Sequence, residues 1–563
     1  MHVEWVPNRG RRPTILLRET WREGKQVKKR TLANLTDWPE KKIEALRKVL
    51  RGESLVSPET ALTIERSLPH GHVEAILGTI KKLGLDGIIA SKPCRERDLV
   101  LAMITERLLH PSSKLATTRL WHTTTVAEEL SATDADETAL YDALDWLAAR
   151  QGRIEKKLAA RHLDEGSLVL YDVTSSYYEG HTCPLARFGH DRDGEKGKPI
   201  IVYGTLTDKE GRPVALSVYP GNTGDPTTIP DQVHKLKERF GLDHLVLVGD
   251  RGMLTQTQID SLKRSPGMGW ISALRSSAIR YLVEQGNIQM SLFDATDLAE
   301  ITSLEYPGER LVACYNPLLA DERKRKRNEL LEATEKILTG IVNTVARRTK
   351  TPLNKAEIGK KVGSGVNRFK MAKHFTLTIE DGSFAFVRNE ASIRREEALD
   401  GIYVIRTSEP SEKLPPEDAV RSYKNLAQVE RVFRTLKGID LLVRPIWHRT
   451  EDHVKAHIFL CMLAYYVEWH MRKALAPLLF DDEELTERRK VRHPVKPAEA
   501  SLSAKQKKAR KTTPDGLPVQ SFATLLAALG TRCRMRCRLG SASLSRLTDP
   551  TPLQTKAFEL LGL

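Results

Sequence analysis

Cysteine is scarce. The six residues Cys94, Cys183, Cys314, Cys461, Cys533 and Cys537 in a chain of 563 are too few and too scattered for a disulfide framework, and they point to a reducing compartment. Cys533 and Cys537 flank "RMR" with no second ligand pair nearby, which argues against a zinc site. Aromatic residues make up only 6% of the chain, too few for the stacking platform expected of a sugar-cleaving enzyme with paired carboxylates. Long hydrophobic runs are missing as well. The longest, "IFLCMLAYYV" from Ile458 to Val467, is too short to span a bilayer, and the opening "MHVEWVPNRGRRP" has no apolar signal region. The expectation is a soluble, cytoplasmic protein.

Positive charge, by contrast, is abundant. Against 73 Asp and Glu stand 89 Lys and Arg, a formal net charge of +16. Such a balance favours an acidic polymer as partner, nucleic acid before a membrane surface. The length allows three or four domains. Residues 14–35 read as two short strands around a turn at Glu23-Gly24, and their cations could lie against phosphate or simply face water. From about Pro39 to Leu163 the apolar spacing is helical, as in "VEAILGTIKKLGL" and "ERDLVLAMITERLL". That region suits DNA binding or dimerisation. From Gly166 buried strands follow: "SLVLYD", "PIIVYGTLTD", "PVALSVYPGN" and, after a helix, "HLVLVGD". Three strands, a helix and a fourth strand predict a mixed α/β sheet. Residues 260–415 then interrupt the sheet with a charged helical stretch and a strand-like stretch, read as an inserted subdomain. The tail "KPAEASLSAKQKKARKTTPDGLP" is basic and poor in apolar residues, and is expected to be mobile.

Two carboxylates share one local context. Asp172 ends "SLVLYD" and Asp250 ends "HLVLVGD", each followed by residues that leave a strand. Strand ends are where ligands collect in α/β sheets, although an aspartate there also serves as a turn former or cap. A third carboxylate lies in "DAVRSYKNLAQVERVFRTLKGIDLL". On a helix, Tyr423, Glu430 and Lys437, seven residues apart, share one face with Arg434. Three carboxylates could bind two Mg²⁺ ions, a centre suited to phosphodiester chemistry, with the hydroxyl and cations beside them on phosphate. Asp191 and Asp193 in "GHDRDGEKGKP" read as loop residues.

In "YKNLAQVERVFRTLK" the Tyr, Glu and Lys fall in register with a known signature, and the segment resembles the DDE transposases of bacterial insertion sequences, specifically the IS-four family. The signature's Arg position holds Leu426, a departure that leaves one phosphate contact unassigned. "YDVTSSYYEG", "GNTGDPTTI" and "GDRGM" also look like this family, in its group with a long insertion between the second Asp and the Glu. The resemblance implies an RNase H-like fold of the α/β class, with a mixed-sheet catalytic core interrupted by a large insertion. It implies Asp172, Asp250 and Glu430 as catalytic metal ligands, and Tyr423, Arg434 and Lys437 on DNA phosphates. The implied cofactor is Mg²⁺, two ions, with Mn²⁺ as substitute. The implied partners are double-stranded DNA, as terminal inverted repeats and target, and a second copy of the chain in a homodimeric synapse, in a bacterial, nucleoid-associated setting.

The expected organisation is 1–38, an N-terminal β-hairpin; 39–163, a helical DNA-binding or dimerisation region; 164–259, the first part of the core; 260–416, the insertion; 417–475, the second part of the core with the Glu helix; and 476–563, a basic tail. The expected activity is cleavage at transposon ends and transfer of the 3′ ends to target DNA. An RNase H-like nuclease without strand transfer and a catalytically silent DNA-binding derivative are the alternatives.

Overall fold

The computed structural model describes residues 1–53, 62–539 and 542–563, which fall into two units. The first joins Met1–Pro69 to Arg532–Asp549. Strands β1 (His2–Asn8), β2 (Arg11–Glu23) and β3 (Gln26–Asn34) form an antiparallel sheet, so the expected hairpin gains a third strand. The helix Glu40–Leu50 packs beside it, with Ile43 buried. Strand β4 (Leu62–Pro69) pairs with Cys533–Leu539, which pairs in turn with Ala542–Leu547. Residues 39–163 are therefore not one helical region: Glu40–Leu50 and β4 belong to this first unit, and 54–61 lie outside the described residues. The basic tail also differs from expectation. It contains the helix Leu502–Arg510, where Lys507 is buried and donates to Ala476 O at 2.7 Å and to Glu483 at 2.7 Å.

The second unit spans His70–Thr531 and Pro550–Leu563. Its eight-stranded mixed sheet contains β5 (Ser167–Tyr177), β6 (Ile200–Thr207), β7 (Pro213–Pro220), β8 (Leu245–Val248), β9 (Met268–Ala273), β10 (Leu298–Ile301), β11 (Arg310–Tyr315) and, after the small hairpin β12 (Phe375–Glu380) and β13 (Ser383–Arg388), β14 (Ile402–Thr407). The order is β10-β11-β14-β9-β8-β5-β6-β7, with β5, β8 and β9 parallel and the remaining pairs antiparallel. This arrangement fits an RNase H-like core.

Two expectations change here. The segment 260–416 is not separate from the sheet, because β9, β10, β11 and β14 extend it. The helices Pro317–Arg347 and Lys355–Arg368 with β12–β13 have a core of their own, built on Leu331, Leu338, Ile358, Val362 and Phe375, and a further cluster, with Ile279, Leu282, Leu311 and Val404, packs on the added strands. In addition, β5 does not end at Asp172 but runs on to Tyr177, pairing Asp172 with Thr205 and Ser176 with Ile201. The alternation of β-branched, aromatic and hydroxyl residues in "VTSSYY" suits a strand.

Alternation along β5 divides its side chains between two cores. Val169, Tyr171 and Val173 pack on one face of the sheet, Leu170 on the other. The second face is covered by helices, among them Gly71–Lys82, Arg95–Leu109, Glu137–Ala148 and Glu451–Leu475, which share Val73, Ile104, Leu144 and Phe459 with the sheet core. The longest apolar run of the chain lies inside Glu451–Leu475 and is buried all round. Among the described residues no helix is long and apolar enough to cross a membrane.

Candidate active site

Leu170 on β5 is in register with Val248 on its parallel neighbour β8. Asp172 and Asp250 each lie two residues beyond these partners, so both aspartates fall at the same level of the sheet. Two residues is one period of the pleat, which turns Asp172 toward the face that carries Leu170 and Val248, and Asp250, just past the end of its strand, stands near enough for its charge to act on Asp172. Strand β8 has ended by then, and β5 has not. The rim at Asp172 is therefore made by the neighbour stopping, not by its own strand ending.

On that same face lies the helix Leu426–Lys437, which buries Val429, Val432, Phe433 and Leu436 against the sheet core. Phe433 meets Tyr203 of β6 edge to face, ring centroids 6.0 Å apart. Glu430 and Arg434 are exposed on this helix, and Arg434 has no ion pair among the described residues. Tyr423 belongs to a preceding helix, Pro416–Lys424, because the chain breaks step at Asn425. The Asn425 N–H donates to both Arg421 O and Ser422 O at 3.1 Å, and Gln428 N–H donates to Asn425 O at 2.8 Å. The expected single helical face from Tyr423 to Lys437 is thus split across two helices. The two aspartates and Glu430 still converge electrostatically on the Tyr423 hydroxyl. Burial pushes that hydroxyl up to about 12, and Asp250, Glu430 and Asp172 push it in the same direction while Arg251 opposes them.

The carboxylates are not equivalent. Asp172 is half-buried and pushed up to about 7, first by burial; the Val173 N–H, which donates to its Oδ1 at 2.8 Å, opposes this, and the charge on Asp250 adds to it. Asp250 is exposed and also forms a turn, its Oδ1 accepting from Gly252 N–H at 3.0 Å and Met253 N–H at 2.7 Å. The turn-forming and rim-carboxylate readings of Asp250 therefore both apply. Beside Asp172, in register on β6, the buried Thr205 hydroxyl has no hydrogen-bond partner among the described residues. Every donor here is an oxygen, the set that a hard divalent cation prefers. A surplus of negative charge and an unsatisfied hydroxyl fit such an ion. The cage is nonetheless not closed: among the described residues, no three acidic, His or Cys side chains stand close enough to enclose a metal.

Lys437 is committed elsewhere. It donates at 2.8 Å to Asp193, whose side chain is wholly buried and also pairs with Arg444 and accepts from Tyr177 N–H at 3.0 Å. Asp193 thereby ties the end of β5 to the end of the Glu430 helix, and is no ordinary loop residue. In the sequence it was indistinguishable from Asp191, since nothing local marks which of two loop aspartates turns inward. Arg192, its neighbour, forms two bonds to Asp225, at 2.5 and 2.6 Å, and helps hold Asp172 ionised. Leu426 is buried in the core at the start of its helix. Neither neighbouring cation replaces the missing Arg: Lys424 donates to Val495 O at 2.8 Å and Arg431 to Asp481 at 3.3 Å. Arg251, one residue past Asp250, is the cation that stands near Tyr423.

Comparison with known proteins identifies the family. Residues 164–467, more than half of the chain, match the family described as Transposase DDE domain. Residues 6–61 match the IS1634 family transposase, N-terminal domain, which replaces the IS-four assignment suggested by the signature. No curated protein matches. Among solved structures, a piggyBac transposase synaptic complex with hairpin DNA is similar over 71% of this chain and 72% of that one, at 9% identity and a TM-score of 0.33. The chain belongs to the DDE transposases and is the transposase of an insertion sequence.

Proposed function

We propose that this transposase binds the terminal inverted repeats of its element, cleaves a strand at each end and joins the freed 3′-OH to target DNA, with two copies pairing the two ends. The observation that carries the reading is the register match that sets Asp172 beside Asp250, facing the helix of Glu430. Asp172, Asp250 and Glu430 would hold Mg²⁺, two ions, or Mn²⁺ in their place. When bound, such ions supply charge neutralisation at the phosphodiester and a more acidic attacking hydroxyl. The chain's own residues orient the DNA: Tyr423 offers a hydroxyl beside the carboxylates, and Arg434 an exposed guanidinium on the Glu430 helix. Lys437 acts through Asp193, by fixing the helix, more than by touching phosphate.

The test uses labelled duplexes carrying the element's ends, with Mg²⁺. Asp172→Asn, Asp250→Asn and Glu430→Gln should each abolish strand cleavage while duplex binding survives. Cleavage by the Asp172→Asn protein at the wild-type rate would overturn the site. A pre-cut end with a free 3′-OH, incubated with plasmid, separates transposase from nuclease, since only the transposase yields joined product.

A further inference from the structure

Arg492 follows the helix Leu485–Val491. Its Nε and Nη2 are both buried, and neither has a hydrogen bond or an ion pair among the described residues. No other described arginine leaves two such nitrogens. Arg18, Arg327 and Arg532 leave only Nε, and the first two also pair with a carboxylate, Glu4 at 2.8 Å and Asp400 at 2.6 Å. A buried polar group without a partner is rare in a folded protein, and a buried charge without one is costly.

The groups around it are donors as well. The Tyr403 hydroxyl, on β14, is buried and has no hydrogen-bond partner among the described residues. The Cys314 thiol, in register on β11, is a weak acceptor and itself donates to Val312 O at 3.8 Å. Lys424 ends the helix Pro416–Lys424, stands 5.8 Å from the centre of the Tyr403 ring and donates to Val495 O at 2.8 Å. Arg421, on the same helix, donates to Arg492 O at 3.0 Å. Burial draws the Lys424 ammonium down to about 8, and the charge of Arg492 adds to it. The carboxylates at hand are taken: Asp418 by Arg421 at 2.7 Å, and Asp297 by His493 at 3.4 Å and Lys496 at 3.8 Å. Water would satisfy the stranded N–H groups and leave the charge unmatched. The Nε–Nη2 edge of a guanidinium takes two oxygens side by side. The Tyr403 hydroxyl and the spare protons of Lys424 call for further oxygens, which a tetrahedral oxyanion supplies better than a carboxylate. The burial of these atoms suits a free ion better than the backbone of a duplex.

We propose that Arg492, Lys424 and Tyr403 hold a tetrahedral oxyanion, inorganic phosphate or sulfate, which ties residues 492–495 to the end of the helix that carries Tyr423. Such a site stands independently of the cleavage reaction. Its test is equilibrium dialysis of the full chain against radiolabelled inorganic phosphate, without DNA or divalent metal. The wild type should take up one phosphate per chain, sulfate should displace it, and at matched ionic strength phosphate should raise the unfolding midpoint. Arg492→Gln should weaken uptake by about 10- to 100-fold, the range for hydrogen bonds to charged groups. Tyr403→Phe keeps the ring and removes one hydroxyl, so it should weaken uptake by about tenfold, and it carries the test if the arginine variant does not fold. Neither variant should show the wild-type rise in midpoint. No uptake by the wild type overturns the proposal, and so does equal uptake by the wild type and both variants. A mononucleotide 5′-phosphate that binds where inorganic phosphate does not would overturn it as well, since the site would then belong to a larger ligand.

Discussion

Replacing Asp193 by Asn keeps the size of a wholly buried side chain and removes its charge. Three donors meet that carboxylate: Tyr177 N–H from β5, Lys437 from the Glu430 helix and Arg444 from the loop beyond it. Breaking a buried pair from one side typically costs 3–5 kcal/mol, because the other charge is left uncompensated. Lys437 is only 11% exposed and cannot readily reach water, whereas Arg444, at 29%, partly can. The cost therefore belongs near the lower limit, about 3 kcal/mol. Burial already pulls the Lys437 ammonium below its ordinary range, and Asp193 is the main influence that holds it up. Without Asp193 the end of the Glu430 helix loses its tie to the strand of Asp172. A displacement of about 1 Å in a catalytic group costs roughly 10²-fold in rate. Asp193→Asn should thus cut labelled ends about a hundredfold more slowly, with duplex affinity unchanged and the unfolding midpoint lowered. Adding Lys437→Met should recover part of the lost stability, since it removes the stranded charge. A single Asp193→Asn protein that cuts within a fewfold of wild type would refute the reasoning.

Glu468 is fully buried and is pushed up to about 7 from an ordinary 4.5, chiefly by burial, with Arg472 opposing. The folded state therefore holds this proton more tightly than the unfolded chain does, so the stability it contributes is present below pH 4.5 and lost as pH rises through about 7. In urea titrations, Glu468→Gln should gain on the wild type by up to about 3 kcal/mol between pH 5 and pH 8, and a pH-independent difference would contradict this. Leu338→Ala opens a cavity in the core of the inserted subdomain and should cost about 2–5 kcal/mol, read as faster hydrogen exchange confined to residues 317–397. Phe433→Ala removes the ring that packs against Tyr203 and should cost about 3–5 kcal/mol, with cleavage falling more than DNA binding.

The three candidate carboxylates stand out in the sequence because each sits at a change of pattern: an apolar strand meeting polar residues, or a helical row of charge beside an apolar stripe. The order of the first four core strands was legible for the same reason. What escaped was set by tertiary packing. A strand's end is decided by its neighbours, so β5 runs past Asp172 where β6 continues to pair with it. The break at Asn425 leaves backbone angles nearly helical, φ −68° and ψ −13°, and periodicity cannot register it. The strands β9, β11 and β14 lie far apart in sequence and show their common sheet only when paired. Asp193 differs from Asp191 only in what surrounds it after folding.

The pairing of β4 with residues 533–539 matters for the order in which the chain leaves the ribosome. Pro69 meets Cys533, so about 460 residues must be made before that edge of β4 finds its partner, roughly half a minute to a minute and a half at 5–20 residues per second. The second unit closes late too, since the helix Pro552–Leu561 packs on Gly71–Lys82, where Lys82 donates to Leu561 O. A nascent chain stalled before residue 532 would therefore hold two incomplete units, with the β4 edge open to pairing with other chains. The first unit needs residues as far as Asp549 and the second as far as the helix Pro552–Leu561, so both are completed only late in synthesis.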